Sequence, residues 1–301
     1  MTPPETPTVN HGRGHSTPGA TPDPGLLEEL VDLCRGRRLT ALTGAGISTD
    51  AGLPDYRGTG SSGIQTVDID LFLSDPMWQR WVWQRNQETW KALESLPATP
   101  SHSALARLES AGPLDGVATQ NVDGLHQRGG SRRVAEMHGS FLLVDCLGCG
   151  RTFPREWLDG ELRRANPWLR DDPDPAHVAI LAGVDPEGAR ASRLELVSCP
   201  ECGGILKPDV VFFGEALPER AMADAMDMAD ACEVMLVVGT SAKVSTAMWV
   251  ALEAARSGAD LVVINRGPCD LDHLGAVALR IDGGAGVYLP PLADELVPAR
   301  G

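Results

Sequence analysis

Leu39-Thr40-Ala41-Leu42-Thr43-Gly44-Ala45-Gly46-Ile47-Ser48 decides the fold of this chain. The first five residues read as a short buried strand, and the glycines after it let backbone approach a ligand closely. Gly44-Ala45-Gly46 directly after a strand is the opening of a pyrophosphate-binding turn, and Ser48 is placed to cap a following helix whose N-terminus favours anions. The dinucleotide fingerprint is incomplete. Its sixth position is Thr49 and no ribose-binding acid follows on schedule, so an ordinary dehydrogenase is disfavoured and a plain structural turn stays open.

Outward from this stretch, the runs Val210-Val211-Phe212-Phe213, Val234-Met235-Leu236-Val237-Val238 and Leu261-Val262-Val263-Ile264 are short and rich in β-branched or aromatic residues. Helix-like stretches separate them. That alternation predicts an α/β fold, a Rossmann-like doubly wound parallel sheet with crossover helices. Folded chain is expected from near Leu26, where Leu26, Leu27, Leu30, Leu33 and Cys34 fall at helical spacing. Residues 1–24 are rich in Pro, Thr and Gly, carry Glu5 and Asp23 with only Arg13 among the basic residues, and read as a disordered tail without a secretory or transit signal.

Two segments interrupt the α/β pattern. Residues 61–99 read as a helical insertion bearing Trp78, Trp81, Trp83 and Trp90, and residues 142–204 as a zinc-binding module. The remaining pieces, 25–60, 100–141 and 205–301, form one discontinuous Rossmann-like domain. The 142–204 segment has too little apolar material for a large core of its own, so a metal would supply what the core lacks.

The metal reading rests on Cys146-Leu147-Gly148-Cys149-Gly150 and Cys199-Pro200-Glu201-Cys202-Gly203. A two-residue gap lets both sulfurs of a pair reach one ion, and the glycine after each pair permits a turn that aims N–H groups at sulfur. Two such pairs make a closed site of Cys146, Cys149, Cys199 and Cys202, which has no open position for substrate and therefore implies a structural zinc. Redox disulfides compete with this reading. The 49-residue spacer from Gly150 to Ser198 exceeds the usual span and implies an excursion between the knuckles. Cys34, Cys232 and Cys269 are left over, are expected to be buried and inert, and agree with a reducing, cytoplasmic setting.

With 301 residues and 43% hydrophobic content, the chain suits one large core plus a subsidiary module, and no apolar run is long enough to cross a bilayer. The formal charge of −15 repels phosphate backbones. It disfavours nucleic acid and favours lysine-rich protein segments, although acidity that only maintains solubility reads the charge equally well.

Several blocks in order resemble the sirtuin family: GAGISTDAGLPDYRG from Gly44, TQNVDGLH from Thr119, Glu136-Met137-His138-Gly139, KPDVVFFGE from Lys207, Val238-Gly239-Thr240-Ser241, and Ile264-Asn265. With both cysteine pairs in place, the resemblance covers residues 26–290. The KPDVVFFGE wording and the long inter-knuckle segment are most similar to the class II branch, which includes a mitochondrial member.

The resemblance implies an enzyme that consumes NAD as a co-substrate. The acyl-lysine carbonyl oxygen attacks C1′ of the nicotinamide ribose, nicotinamide leaves, and the acyl group passes from lysine to ADP-ribose. His138 matches the catalytic base, Asn121 a ribose or water contact, and Asp123 the acceptor for the nicotinamide carboxamide. Read without the resemblance, His138 is equally a loop or core histidine, and Gln120-Asn121-Val122-Asp123 fits an Asx-rich turn. His126 is expected to make a structural hydrogen bond.

Cofactor contacts are implied for Gly44, Ala45, Gly46, Ile47, Ser48, Pro54, Asp55, Tyr56, Arg57, Gln120, Asn121, Val122, Asp123, Gly239, Thr240, Ser241, Asn265, Arg266, Gly267 and Ala285. Tyr56 stands where many relatives have Phe, which keeps the aromatic shield and adds a hydroxyl. Val210, Val211, Phe212, Phe213 and Gly214 resemble the edge on which a substrate peptide adds as a strand, with a core strand as the other reading.

The branch that prefers acidic acyl groups uses a Tyr-x-x-Arg pair, and no Tyr occurs between Gly58 and Pro100, so deacetylation leads. Protein mono-ADP-ribosyltransfer and lipoamidase-like deacylation are the enzyme alternatives. A zinc-stapled nucleotide-binding module without chemistry is the non-enzyme one.

Overall fold

The structure is a computed structural model that describes residues 20–53, 67–169 and 191–297. Its frame is a six-stranded parallel sheet built from β1 (Leu39–Thr43), β2 (Leu114–Thr119), β3 (Val134–Glu136), β7 (Val234–Val238), β8 (Asp260–Ile264) and β9 (Val277–Ile281), in the order β3-β2-β1-β7-β8-β9. The chain winds from β1 to one edge and then from β7 to the other. The switch in direction between β1 and β7 leaves a crevice at their carboxyl ends, where doubly wound sheets bind ligands.

Both faces of this sheet are covered, and the two-residue period of the strands sorts their side chains between two cores. On one side Leu39, Ala41, Val234, Leu236, Val238, Val262 and Ile264 pack against α1 (Pro24–Cys34), α4 (Pro100–Ala111) and α9 (Ala285–Leu296). On the other, Leu42, Met235, Val237, Leu261 and Val263 pack against α7 (Glu219–Ala231) and α8 (Ser245–Arg256). The helix predicted from the leucines near Leu26 is α1. It starts at Pro24, with Asp23 accepting from the N–H of Leu26 as its cap.

The tryptophan-rich segment folds as α2 (Ile69–Ser74) and α3 (Pro76–Ser95), and α5 (Leu125–Gly129) follows β2. A second sheet is antiparallel, in the order β5-β4-β6, with β4 at Gly139–Cys146, β5 at Thr152–Pro154 and β6 at Leu206–Val210; α6 (Arg155–Ala165) lies beside it. The run Val210–Phe213 is therefore not a strand of the parallel sheet, as its apolar composition suggested. Its first residue ends β6 against β4, Val211 donates its N–H to the His138 carbonyl at 2.9 Å, and Phe213 makes an isolated bridge to Asp68. β-branched and aromatic character sets strand propensity but not the sheet to which a strand belongs.

β4 runs from Gly139, just after His138, to Cys146 at the cysteine cluster. At its start Gly139 has φ 74°, and a Cβ there would lie 2.1 Å from the Asp209 carbonyl oxygen, so no other residue fits. Around Val144, Cys146, Cys199, Leu158, Leu162, Leu194 and Leu206 lies a small core completed by Trp83 of α3. The cysteine-rich segment thus borrows apolar material from α3.

Candidate functional site

Of the residues singled out in sequence, Gly44, Gly46, Ser48, Gln120, Asn121, Asp123, His138 and Gly239 converge near the carboxyl edge of β1, β2 and β7. Gly44 donates its N–H to the Val238 carbonyl at 3.1 Å, Gly46 donates to Gly239 O at 2.8 Å, and Gly239 donates to Ile264 O at 2.9 Å. The turns after β1 and β7 are pressed backbone to backbone: a Cβ on Gly46 would stand 2.7 Å from Gly239 Cα, and one on Gly239 would stand 2.5 Å from the Ile47 nitrogen. The glycines are needed as much for packing one loop on the other as for admitting a ligand.

After β1 the chain makes two short 3-10 turns, Ala45–Ile47 and Thr49–Ala51, and Ser48 caps neither. This corrects the expectation of a serine-capped helix. Ser48 is buried, and its hydroxyl donates to Asp123 Oδ2 at 2.7 Å while accepting from Asn121 Nδ2 at 3.2 Å. Asn121 Nδ2 also donates to Gly44 O at 3.2 Å, and Asp123 Oδ1 accepts from the Leu125 N–H at 2.9 Å. Ser48 is tied to the turn after β2 by side chains 73 and 75 positions away, a pairing for which the sequence holds no signal.

Gln120 joins the third piece. Its side-chain oxygen accepts from Thr240 Oγ1 at 2.8 Å, and its backbone oxygen accepts from His138 Nδ1 at 3.0 Å. The Nε2 atom of His138 lies 2.9 Å from Thr246 Oγ1 on α8. Burial lowers the His138 pKa, opposed by the bond to the Gln120 carbonyl. The imidazole is therefore neutral near pH 7 and able to accept a proton. Thr246 and Thr119, whose Oγ1 accepts from the Asn121 N–H at 3.0 Å, escaped sequence reasoning because a lone threonine carries no signal of its own.

Beneath this layer His126 makes the structural bond expected of it, with Nε2 2.8 Å from Thr43 Oγ1, which in turn donates to Thr119 Oγ1 at 2.8 Å. Its ring meets that of His102 edge-on at 4.7 Å.

At the rim, Asn265 follows β8 with its side chain turned to the carbonyls of Arg266 and Gly267, at 3.1 and 3.4 Å, and Gly267 donates to Asp282. Ala285 is buried at the start of α9. Val122 is buried against Leu53 and Phe141. Pro54, Asp55, Tyr56 and Arg57 lie outside the described residues.

On the β6 side, Phe212 packs edge-on against Phe72 at 5.4 Å, Phe213 is 65% exposed, and Gly214 turns with φ 87°. Glu215 holds this corner by accepting from the Phe212 N–H at 2.6 Å and pairing with Lys207 at 3.1 Å. Asp209 on β6 has its carboxyl pushed up to about 7 by burial and by the neighbouring Asp145 charge, and burial raises Glu136 as well.

Cys146, Cys149, Cys199 and Cys202 bring their sulfurs within 4.8 Å of one another and could hold a structural metal ion. Four sulfurs about 2.3 Å from one tetrahedral ion stand about 3.8 Å apart. The separations here are 3.4 Å for Cys146–Cys202 and 3.8 Å for Cys149–Cys199. The N–H groups of Gly148 and Gly204 point at Cys146 and Cys202 sulfur, each at 3.3 Å, as thiolates require. Cys34, Cys232 and Cys269 are buried; burial raises Cys34 to about 12 and Cys232 to about 11, which makes them poor nucleophiles.

The Sir2 family model matches residues 44–246. NAD-dependent protein deacetylase 1 of Mycobacterium avium is 40% identical over 271 residues, covering 90% of this chain and 95% of that protein. NAD-dependent protein deacylase SRT2 of Arabidopsis thaliana is 34% identical over 293 residues, covering 90% of this chain and 78% of that protein. Among solved structures, one described as Sir2 with a p53 peptide and NAD+ superposes with a TM-score of 0.67 at 29% identity, covering 89% of this chain and 98% of that one.

Proposed function

The chain belongs to the Sir2 family, and from that premise we propose that it is an NAD-dependent protein-lysine deacetylase that moves the acetyl group from lysine to ADP-ribose and releases nicotinamide. The observation that carries this reading is the convergence of His138, Gln120, Asn121, Asp123 and the Gly44 and Gly239 turns on one sheet edge. NAD, when bound, supplies the ribose C1′ that the acyl oxygen attacks. The glycine turns, with no side chain in the way, let the phosphates come close to the backbone, with Thr240, Ser241, Asn265, Arg266, Gly267 and Ala285 as further contacts. Asn121 and Asp123, fixed through Ser48, orient the ribose and the nicotinamide amide. His138, neutral and held through Nδ1, takes a ribose hydroxyl proton on Nε2.

Acyl-lysine peptide lies along Val210–Gly214, where exposed Phe213 and the place of β6 at the edge of its sheet support strand addition. The four-cysteine cluster is read as a closed zinc site, structural because no ligand position is left for water. The KPDVVFFGE block supports placement in the class II branch, and the charge of −15 supports basic protein segments rather than nucleic acid as partners. A cytoplasmic setting is supported by the free buried cysteines, and no described helix is long and apolar enough to cross a membrane.

The test is incubation of the protein with NAD and a panel of acetyl-, lipoyl- and succinyl-lysine peptides. Nicotinamide, O-acetyl-ADP-ribose and free lysine from the acetyl peptide are expected. Mass added to a protein target without loss of the acyl group would make the enzyme an ADP-ribosyltransferase instead.

A further inference from the structure

His138 has no free ring nitrogen. Nδ1 faces the backbone oxygen of Gln120, which can only accept, so Nδ1 carries the hydrogen and Nε2 holds the lone pair of the neutral ring. The partner of Nε2, Thr246 Oγ1, must then donate. A hydroxyl can also reverse: once Nε2 is protonated, the same oxygen accepts from Nε2–H. Backbone carbonyls and ammonium groups cannot serve both states.

Thr246 is built in, not incidental. It is 3% exposed, in the first turn of α8. The chain reaches α8 from β7 through Ala242, at φ 52° the one non-glycine residue in the left-handed region among the described residues. The N–H of Ala242 donates to Thr240 Oγ1 at 3.1 Å, and that hydroxyl donates to the Gln120 side chain. A closed circuit results, in which Gln120 fixes one nitrogen of His138 directly and, through Thr240, steadies the loop carrying the group on the other. Strain of this kind persists where the surroundings over-determine the backbone.

We propose that Thr246 is a positioning residue for the proton transfer assigned to His138, its hydroxyl donating to Nε2 in the resting ring and accepting from it after the proton arrives. The inference rests on the deacetylase reading for its catalytic consequence but not for its structural content. In the step itself the substrate hydroxyl proton moves to Nε2, the hydroxyl's electron pair stays on the substrate oxygen, and the Thr246 hydrogen rotates away so that Oγ1 receives Nε2–H. The charged and titratable groups on the surrounding elements include Glu136 at the end of β3, Asp123 after β2, Asp145 on β4, Lys207 and Asp209 on β6, Lys243 before α8, and Glu253 and Arg256 near the far end of α8; α8 has no acid in its first turn, and no charged side chain enters the shift of His138. The hydroxyl is thus the main polar partner that distinguishes the two protonation states at Nε2. A charge-assisted bond is stronger than a neutral one, so its loss penalises the imidazolium more.

The experiment is a nitrogen-15 NMR titration of His138 in the NAD-free protein, for the wild type, Thr246→Val and Thr246→Ser, alongside pH profiles of acetyl-peptide turnover. The valine matches threonine in shape; the serine keeps the hydroxyl and guards against a folding artefact. Expected are an Nδ1–H tautomer in the wild type, a His138 pKa lowered by about half a unit or more in Thr246→Val, near-wild-type titration in Thr246→Ser, and a fall in kcat larger than any rise in KM for NAD in the valine variant alone. Identical titration of all three proteins overturns the inference, as does an Nε2–H tautomer in the wild type. If the wild type releases no nicotinamide while the NMR shifts follow the expectation, the enzymatic reading fails and the Thr246 contact stands.

Discussion

Asp123 accepts from Ser48 with one oxygen and from the Leu125 N–H with the other, which fixes the carboxylate and leaves each oxygen a further lone pair to accept with. Residues near it differ in what their removal would do. His138→Ala, which removes the proposed base but leaves both glycine turns intact, is expected to cut turnover by about 10²–10⁴-fold. NAD binding measured by calorimetry should change little; unchanged turnover would remove His138 from the mechanism. The buried pair His102 and His126 gives a pH prediction. Burial lowers His102 from 6.5 to about 4 and takes His126 well below the usual histidine range. Folded protein therefore binds fewer protons than unfolded chain in this interval. The stability tied to these neutral rings is complete above about pH 6.5 and is lost as the pH falls through about 4. Urea denaturation across that window should show the decline, and His102→Gln should flatten it.

Helix α6 and helix α3 meet through a charge. Arg155 is fully buried, with its guanidinium 5.4 Å from the Trp83 ring and 5.6 Å from the Trp90 ring, donating to Gln87 Oε1 at 2.7 Å. Nε and Nη1 have no partner. Gln87 donates in turn to Asp159, which also receives Arg163. Arg155→Ala, which leaves a cavity and an orphaned amide, is expected to cost about 3 kcal/mol or more, whereas Arg155→Met should stay within about 1.5 kcal/mol of the wild type, since an apolar side chain avoids the desolvation cost. Urea midpoints distinguish the two outcomes; equal losses would show that the charge itself matters. Periodicity made α1 and α3 legible, and apolar runs made β7 and β8 legible. The run at Val210–Phe213 misled because its partner is β4, near in space and remote in chain.

Across the whole molecule, the four-cysteine cluster and the crevice are linked by one strand, β4, with His138 just before it and Cys146 at its end. The sequence count of four ligands and the 3.4 and 3.8 Å sulfur separations predict one zinc per chain. Cys146→Ser combined with Cys199→Ser should abolish it, melt the small core around Val144 and lower turnover through β4, as metal analysis and a thermal melt would detect. Full activity without metal would exclude that structural role.

Sequence by itself determined the strand–turn unit at Leu39–Ser48, the two cysteine pairs, the tryptophan helix and the residue types gathered at the crevice. Those features are local: near-neighbour sterics, a two-residue or helical period, and fixed ligand spacing encode them. Tertiary structure alone decided that Ser48 serves Asp123 and Asn121 instead of a helix, that β6 pairs with β4, and that His138 rests against Thr246, 108 positions away. Each depends on which distant hydroxyl, amide or strand edge the folded topology brings within hydrogen-bond reach, and no periodicity in the chain records that.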